Sequence, residues 1–152
     1  MSWFLTIIDT AGQEDFSALR HVYFRTGDAF VLVYSVTDRF SFEKIETFYK
    51  QILRVKDAPS VPIVVIGNKN DLVLERVVTL AEGKELAKRL GNVPFMESSA
   101  KSGLNVSQMY HAAVREVKKR RKMTSTSRMD ATKSEDDARH GKSKKSHRCT
   151  IL

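Results

Sequence analysis

A single cysteine, Cys149, is the only sulfhydryl in 152 residues. That excludes a disulfide framework and makes a reducing compartment the default. Seven glycines and three prolines are too few for a collagen-like chain. No apolar run approaches the ~18 residues of a spanning helix, so no membrane-crossing segment is expected. The start, Met1-Ser2-Trp3-Phe4, has no basic stretch and meets an acid by Asp9, so no signal peptide is evident. Aromatic residues are missing from 118–148, and no acid stands among Lys142, Lys144, Lys145 and Arg148.

What is present divides in two. With 41% hydrophobic and 29% charged residues the chain can build one ordinary globular core. Residues 1–117 carry 14 basic and 14 acidic side chains, whereas 118–152 carry 12 and 4. The whole net charge of +8 therefore sits in the last stretch. A neutral body with a basic tail points to a tail that works separately. A nucleic-acid reading is disfavoured, because the tail has no aromatics on which bases could stack.

The body alternates two periodicities. Residues 3–8, 29–35 and 61–66 are short, β-branched and apolar, as strands buried on both faces are. Pro94-Phe95-Met96 is a fourth, shorter candidate. Between them, Phe42, Ile45, Phe48 or Tyr49, and Ile52 recur at helical spacing. Thr79 and Glu82 form a capping box ahead of Leu86, Ala87 and Leu90, and Gly91 marks a stop. Asn105 with Gln108 opens a further helix whose face is Met109, Tyr110, Ala113, Val114 and Val117. A shorter helical stretch runs from near Phe16 to Gly27. The β-α-β-α order predicts a parallel sheet with helices on both faces. Residues 118–148 have too few apolar side chains to offset their ordering entropy and read as a disordered tail, with Lys118 to Lys122 able to extend the last helix.

Ligands of open α/β sheets sit at the carboxyl ends of strands. Three such ends carry Asp9-Thr10-Ala11-Gly12-Gln13-Glu14, Gly67-Asn68-Lys69-Asn70-Asp71 and Glu97-Ser98-Ser99-Ala100-Lys101. Asn105-Val106-Ser107 fits a glycosylation pattern but reads better as a helix start. His21, His111, His140 and His147 show no metal-ligand spacing; the first two are expected on helix surfaces.

In their order and spacing the three motifs resemble the Ras family of small GTPases, from its third strand to its C-terminus. Ile52 to Asp57 looks like the Ras/Rap branch, and Gln13 favours Ras over typical Rap proteins. The resemblance implies a three-layer, P-loop NTPase-like α/β fold. It implies GTP and GDP as ligands, with magnesium, and hydrolysis of GTP to GDP and phosphate. Asp71 would then take the guanine N–H pair, Asn68 would bond the base edge, and the Lys69 stem would pack on the ring. In the Ser99-Ala100-Lys101 loop, the Ala100 N–H would meet the guanine oxygen with Lys101 beside the base. Asp9 would hold a magnesium-bound water, the Gly12 N–H would meet the γ-phosphate, and Gln13 would orient the attacking water. Exchange factors, GTPase-activating proteins and effectors are the implied partners.

Cys149-Thr150-Ile151-Leu152 is a C-a-a-X box, whose terminal Leu favours geranylgeranylation. One lipid anchors marginally, but a lipid beside a polybasic patch holds. The expected location is the cytoplasmic face of the plasma membrane or an endomembrane, on an anionic leaflet.

No G-x-x-x-x-G-K-[ST] loop occurs: five residues before the Gly-Lys pairs at 83 and 141 stand Val78 and Asp136. The family's first strand, first helix, switch I and second strand have no counterpart. Residues 1–122 thus read as a partial, N-terminally truncated GTPase domain and 123–152 as the basic tail. Two functions stay open, a signalling switch and a prenylated fragment that competes for regulators. In the family's order the first strand lies between those matched by 3–8 and 29–35. Those two are expected either to close up or to leave 3–8 poorly held.

Overall fold

A computed structural model describes residues 3–10, 17–130 and 147–152. The elements in chain order are β1 (Trp3–Ile7), α1 (Ser17–Thr26), β2 (Phe30–Ser35), α2 (Arg39–Lys56), β3 (Ile63–Asn68), a 3-10 turn (Val73–Glu75), α3 (Leu80–Arg89), β4 (Phe95–Glu97), α4 (Val106–Asp130) and β5 (His147–Ile151).

The apolar runs become parallel strands. β2, β3 and β4 pair in that order, with Phe30 opposite Ile63 and Val65 opposite Phe95. β3 starts two residues later than its apolar run, because Pro62 has no N–H for the ladder. Every residue of β3 from Ile63 to Gly67 is buried, as a central parallel strand requires.

Alternation along β3 divides the core. Ile63 and Val65 face Ile45 and Ile52 of α2 and Leu86 of α3, with Phe30 and Tyr34 of β2 in the same cluster. Val64 and Ile66 face Ala112, Ala113 and Val117 of α4. The sheet is therefore sandwiched between helices, as the β-α alternation predicts.

Local signals set the helix ends. Asp38 caps α2 by accepting the Phe40 N–H at 3.0 Å. Both halves of the Thr79–Glu82 capping box form, at 3.2 and 2.8 Å. Gly91 takes φ +96° where α3 ends, a conformation that costs glycine least. Asn105 stands at the start of α4 as expected, but its side chain does not cap the helix. It sits at φ +57° and donates to the Glu97 carbonyl at 2.7 Å. His21 and His111 lie exposed on α1 and α4. No described helix is long and apolar enough to cross a membrane.

The largest departure from expectation lies at β1. β1 neither closes onto β2 nor hangs free. Residues 147–151 enter between them as β5, pairing in parallel with β1 from Trp3–His147 to Ile7–Ile151. A parallel bridge from Ala29 to Ile151 ties β5 to the lower end of β2. The boundary expected at residue 122 also moves: α4 continues to Asp130, and the last residues are strand. The physical reason is the slot itself. Two parallel strands with unpaired edges leave N–H and C=O groups that must find partners, and the C-terminal backbone supplies them.

Candidate functional site

β3 carries Asn68 to the carboxyl edge of the sheet, where it pairs with Ser35 of β2. The chain then turns through Lys69, whose φ of +66° swings Asn70 and Asp71 back across the strand end. β4 ends at Glu97, opposite Gly67, and releases the loop 98–101 beside that turn. The Ser98 N–H donates to the Gly67 carbonyl at 2.9 Å, and the Asn70 N–H to the Ser98 carbonyl at 3.1 Å.

Side chains lock the two loops together. Asn68 Oδ1 accepts from the Ser98 hydroxyl at 3.2 Å and from the Ala100 N–H at 3.1 Å. The Ser99 hydroxyl donates to Asp71 Oδ1 at 2.5 Å and accepts the Ser102 N–H at 3.2 Å. Ser98 and Ser99 are buried, while Lys69, Asp71, Ala100 and Lys101 are exposed. The hydroxyls that tie the loops together are thus inside, and the groups open to a ligand are outside. The Ser99 hydroxyl holds the Asp71 carboxyl below its ordinary range, helped by the Lys101 and Lys69 charges. Asp71 is therefore an acceptor-only group across neutral pH, suited to two parallel N–H donors on a planar base. A base carbonyl that seeks the Ala100 N–H must share or displace its bond to Asn68.

Six of the expected residues (Asn68, Lys69, Asp71, Ser99, Ala100 and Lys101) converge here. Two residues to which the sequence assigns no role hold them. Arg76 clamps Glu97 with bonds of 2.6 and 2.9 Å, and the Asn70 amide donates to the same carboxylate at 3.0 Å. This ion pair joins the turn after β3, the segment before α3 and the end of β4. Burial and the Arg76 guanidinium act oppositely on Glu97, and the guanidinium dominates, so its carboxyl lies below the usual range. No local pattern could have revealed the pair, because its members stand 21 residues apart.

The other motif fares differently. Asp9 is exposed just beyond β1, with β5 and β2 standing between it and the β3 turn. Asp9 and Thr10 line a cavity of about 280 Å³ whose apolar wall includes Phe24, Val33, Phe48 and Leu152. Gly12 and Gln13 lie outside the described residues. Among the described residues, no group of three or more His, Cys, Asp or Glu could hold a metal ion. Asp9 by itself does not make a magnesium site. Among the described residues, the donors of the β3 and β4 loops therefore suit a planar base, and no set of them suits the cation. Cys149 is fully buried within β5.

The Ras family model matches residues 2–119. A "Ras-like protein" of Laccaria bicolor is 54% identical over 115 residues, covering 76% of this chain and 54% of that protein. The "Ras-like protein RAS2" of Hydra vulgaris is 53% identical over 114 residues, covering 75% of this chain and 59% of the relative. The chain thus spans little more than half the length of these curated relatives. With the family model matched across the body, and the Asn68–Asp71 and Ser99–Lys101 loops meeting at the carboxyl ends of β3 and β4, this chain belongs to the Ras family.

Proposed function

We propose that these residues form the base-recognising side of a guanine-nucleotide-dependent switch, one that binds GTP, hydrolyses it and engages exchange factors, activating proteins and effectors. The observation that carries this reading is the Ser99-anchored Asp71 carboxylate, set beside Asn68 and Ala100. Asp71 selects guanine, Asn68 and the Ala100 amide read the base edge, and the aliphatic stems of Lys69 and Lys101 flank it. Gln13 orients the attacking water once a γ-phosphate is held beside it. Phosphoryl transfer depends on positioning and charge stabilisation, which a base-side contact cannot supply. Association costs roughly 4–15 kcal/mol in lost freedom, so base contacts alone bind weakly.

The 152-residue chain should accordingly bind guanine nucleotides in the millimolar range, prefer them over adenine nucleotides, and hydrolyse GTP negligibly. Titration with a fluorescent guanine nucleotide tests this. Residual binding should disappear on Asp71→Ala; sub-micromolar, magnesium-dependent affinity overturns the reading. Anchoring is the second part of the proposal. Cys149 accepts a geranylgeranyl group, and Lys142, Lys144, Lys145 and Arg148 hold the tail to an anionic membrane. A Cys149→Ser chain should leave the membrane fraction. Neutralising the three lysines should weaken binding partially and in a salt-dependent way.

A further inference from the structure

The slot between β1 and β2 has an occupant, and it is the segment that bears the lipidation box. Both of its edges are hydrogen-bonded. On the β1 side the Ile8 N–H donates to the Ile151 carbonyl at 2.9 Å. On the β2 side the Asp28 and Ala29 N–H groups donate to the Thr150 carbonyl at 2.8 and 3.1 Å, and the Leu152 N–H to the Ala29 carbonyl at 3.0 Å. The Asp28 carboxylate accepts the Thr150 N–H at 2.9 Å.

Side chains divide between the two cores in strand alternation. Cys149 and Ile151 are 0% and 1% exposed, packed with Val64 and Ile66 of β3 and Ala113 of α4. Leu152 points to the other face, into the cluster of Phe24, Phe30 and Ile52. Burial, and then the Asp28 charge, push the Cys149 thiol above its ordinary range. Among the described residues β5 is the strand through which β1 reaches the rest of the sheet.

We propose that residues 147–152 act as the sheet strand that joins β1 to β2, and that this insertion and lipid transfer to Cys149 exclude each other. The proposal rests on the lipidation reading above. Transfer forms a thioether between Cys149 Sγ and the terminal carbon of a prenyl diphosphate. The carbon–oxygen bond breaks, diphosphate leaves, and the thiol proton goes to solvent. A sulfur with no exposed surface cannot reach that carbon. The isoprenoid has no opening onto the sulfur, because Cys149 is enclosed with Val64, Ile66, Ala113 and Ile151 and lines neither the cavity beside Leu152 nor the one beside Val117. Lipidation therefore requires β5 to leave the sheet, and a lipidated tail cannot return. The 152-residue chain, taken by itself, holds either a sheet closed by β5 with a free thiol or an anchored tail outside the sheet.

Cys149 is the only cysteine, so its alkylation reads insertion directly. In the intact 152-residue chain, maleimide should react at least about tenfold more slowly than in the same chain unfolded in urea, because a buried thiol is inert. Two variants should restore reactivity while far-UV circular dichroism still reports a folded body. Ile151→Asp puts a charge in the core. Gly27→Val acts from the slot wall, where a Cβ would be wedged between Leu152 (Cδ1 at 2.5 Å, Cγ at 3.1 Å) and the Phe30 ring (Cε1 at 3.1 Å). Equal rates in the folded and unfolded parent overturn the proposal. So does protection that survives both variants, or protection confined to a dimer on gel filtration. A second arm offers geranylgeranyl diphosphate and its protein transferase to the intact chain and to a free peptide of residues 142–152. Slow transfer to the chain and fast transfer to the peptide support exclusion, and equal transfer overturns it. If neither is modified while alkylation shows protection, the lipidation reading fails and strand insertion stands.

Discussion

Arg76→Ala is the substitution from which most can be learned. Its partner, Glu97, has a side chain only 9% exposed, while Arg76 is 22% exposed. Removing the guanidinium deletes two charge-assisted bonds and leaves a half-buried carboxylate with the Asn70 amide as its remaining side-chain donor. The Val78 carbonyl also loses its 3.0 Å bond from Arg76. An uncompensated buried charge costs about 3–5 kcal/mol, and the partial exposure of Arg76 lets some water reach the gap. A loss of about 2–4 kcal/mol is therefore expected, most of it from stranding Glu97. The reverse deletion, Glu97→Leu, leaves a charge that can turn to solvent and should cost less. The double variant Arg76→Leu with Glu97→Leu should recover part of the loss, which a double-mutant cycle resolves.

The assay is urea unfolding of the 152-residue chain followed by circular dichroism. The pH dependence adds a check of sign. Glu97 has its folded-state carboxyl held below the unfolded value, so its contribution is complete above roughly pH 4.3 and is lost as pH falls through the folded value. Arg76→Ala should flatten that acid limb. A change within about 0.5 kcal/mol, the range of an ordinary surface substitution, would refute the picture of a buried clamp.

Other outcomes follow from the same contacts. Ser99→Ala removes the hydroxyl that holds the Asp71 carboxyl below its ordinary range, so the acid limb of guanine-nucleotide binding should move to higher pH, as NMR titration of the carboxylate would show. Gly83→Ala places a Cβ 2.4 Å from Phe95 Cζ and 2.5 Å from the Tyr34 hydroxyl, and overpacking of this kind should lower stability by about 1–3 kcal/mol in denaturant unfolding. Tyr34→Phe should be neutral or stabilising, because the buried Tyr34 hydroxyl has no hydrogen-bond partner among the described residues. Burial pushes that phenol up to about 12, so its contribution is complete below the unfolded value near pH 10 and is lost as pH rises towards the folded one; the alkaline limb of stability should be absent from Tyr34→Phe.

Much of the body was legible in the sequence because its cues are local. Wholly apolar runs mark central parallel strands, since both faces are covered. Thr79 and Glu82 bond each other's backbone within one turn, so four residues suffice to place the start of α3. The Asn68–Asp71 and Ser99–Lys101 loops could be placed at strand ends by the same logic. Their contact, Ser99 to Asp71, follows once β3 and β4 pair. The rest was decided by tertiary structure. Arg76 and Glu97 carry no signal of their own, and the clamp exists only because β4 ends beside the segment entering α3. Asn105 looks like a helix cap, yet the nearby Glu97 carbonyl takes its side chain instead. His147 to Ile151 has the composition of a solvated tail, and its neighbours in sequence give no reason for a strand. What makes it one is a pair of parallel strands held one strand-width apart, whose unpaired N–H and C=O groups and apolar flanks accept Cys149, Ile151 and Leu152. Local patterns specify elements, but an open place between two of them can be filled by whatever backbone reaches it, and only the assembled sheet determines which segment that is.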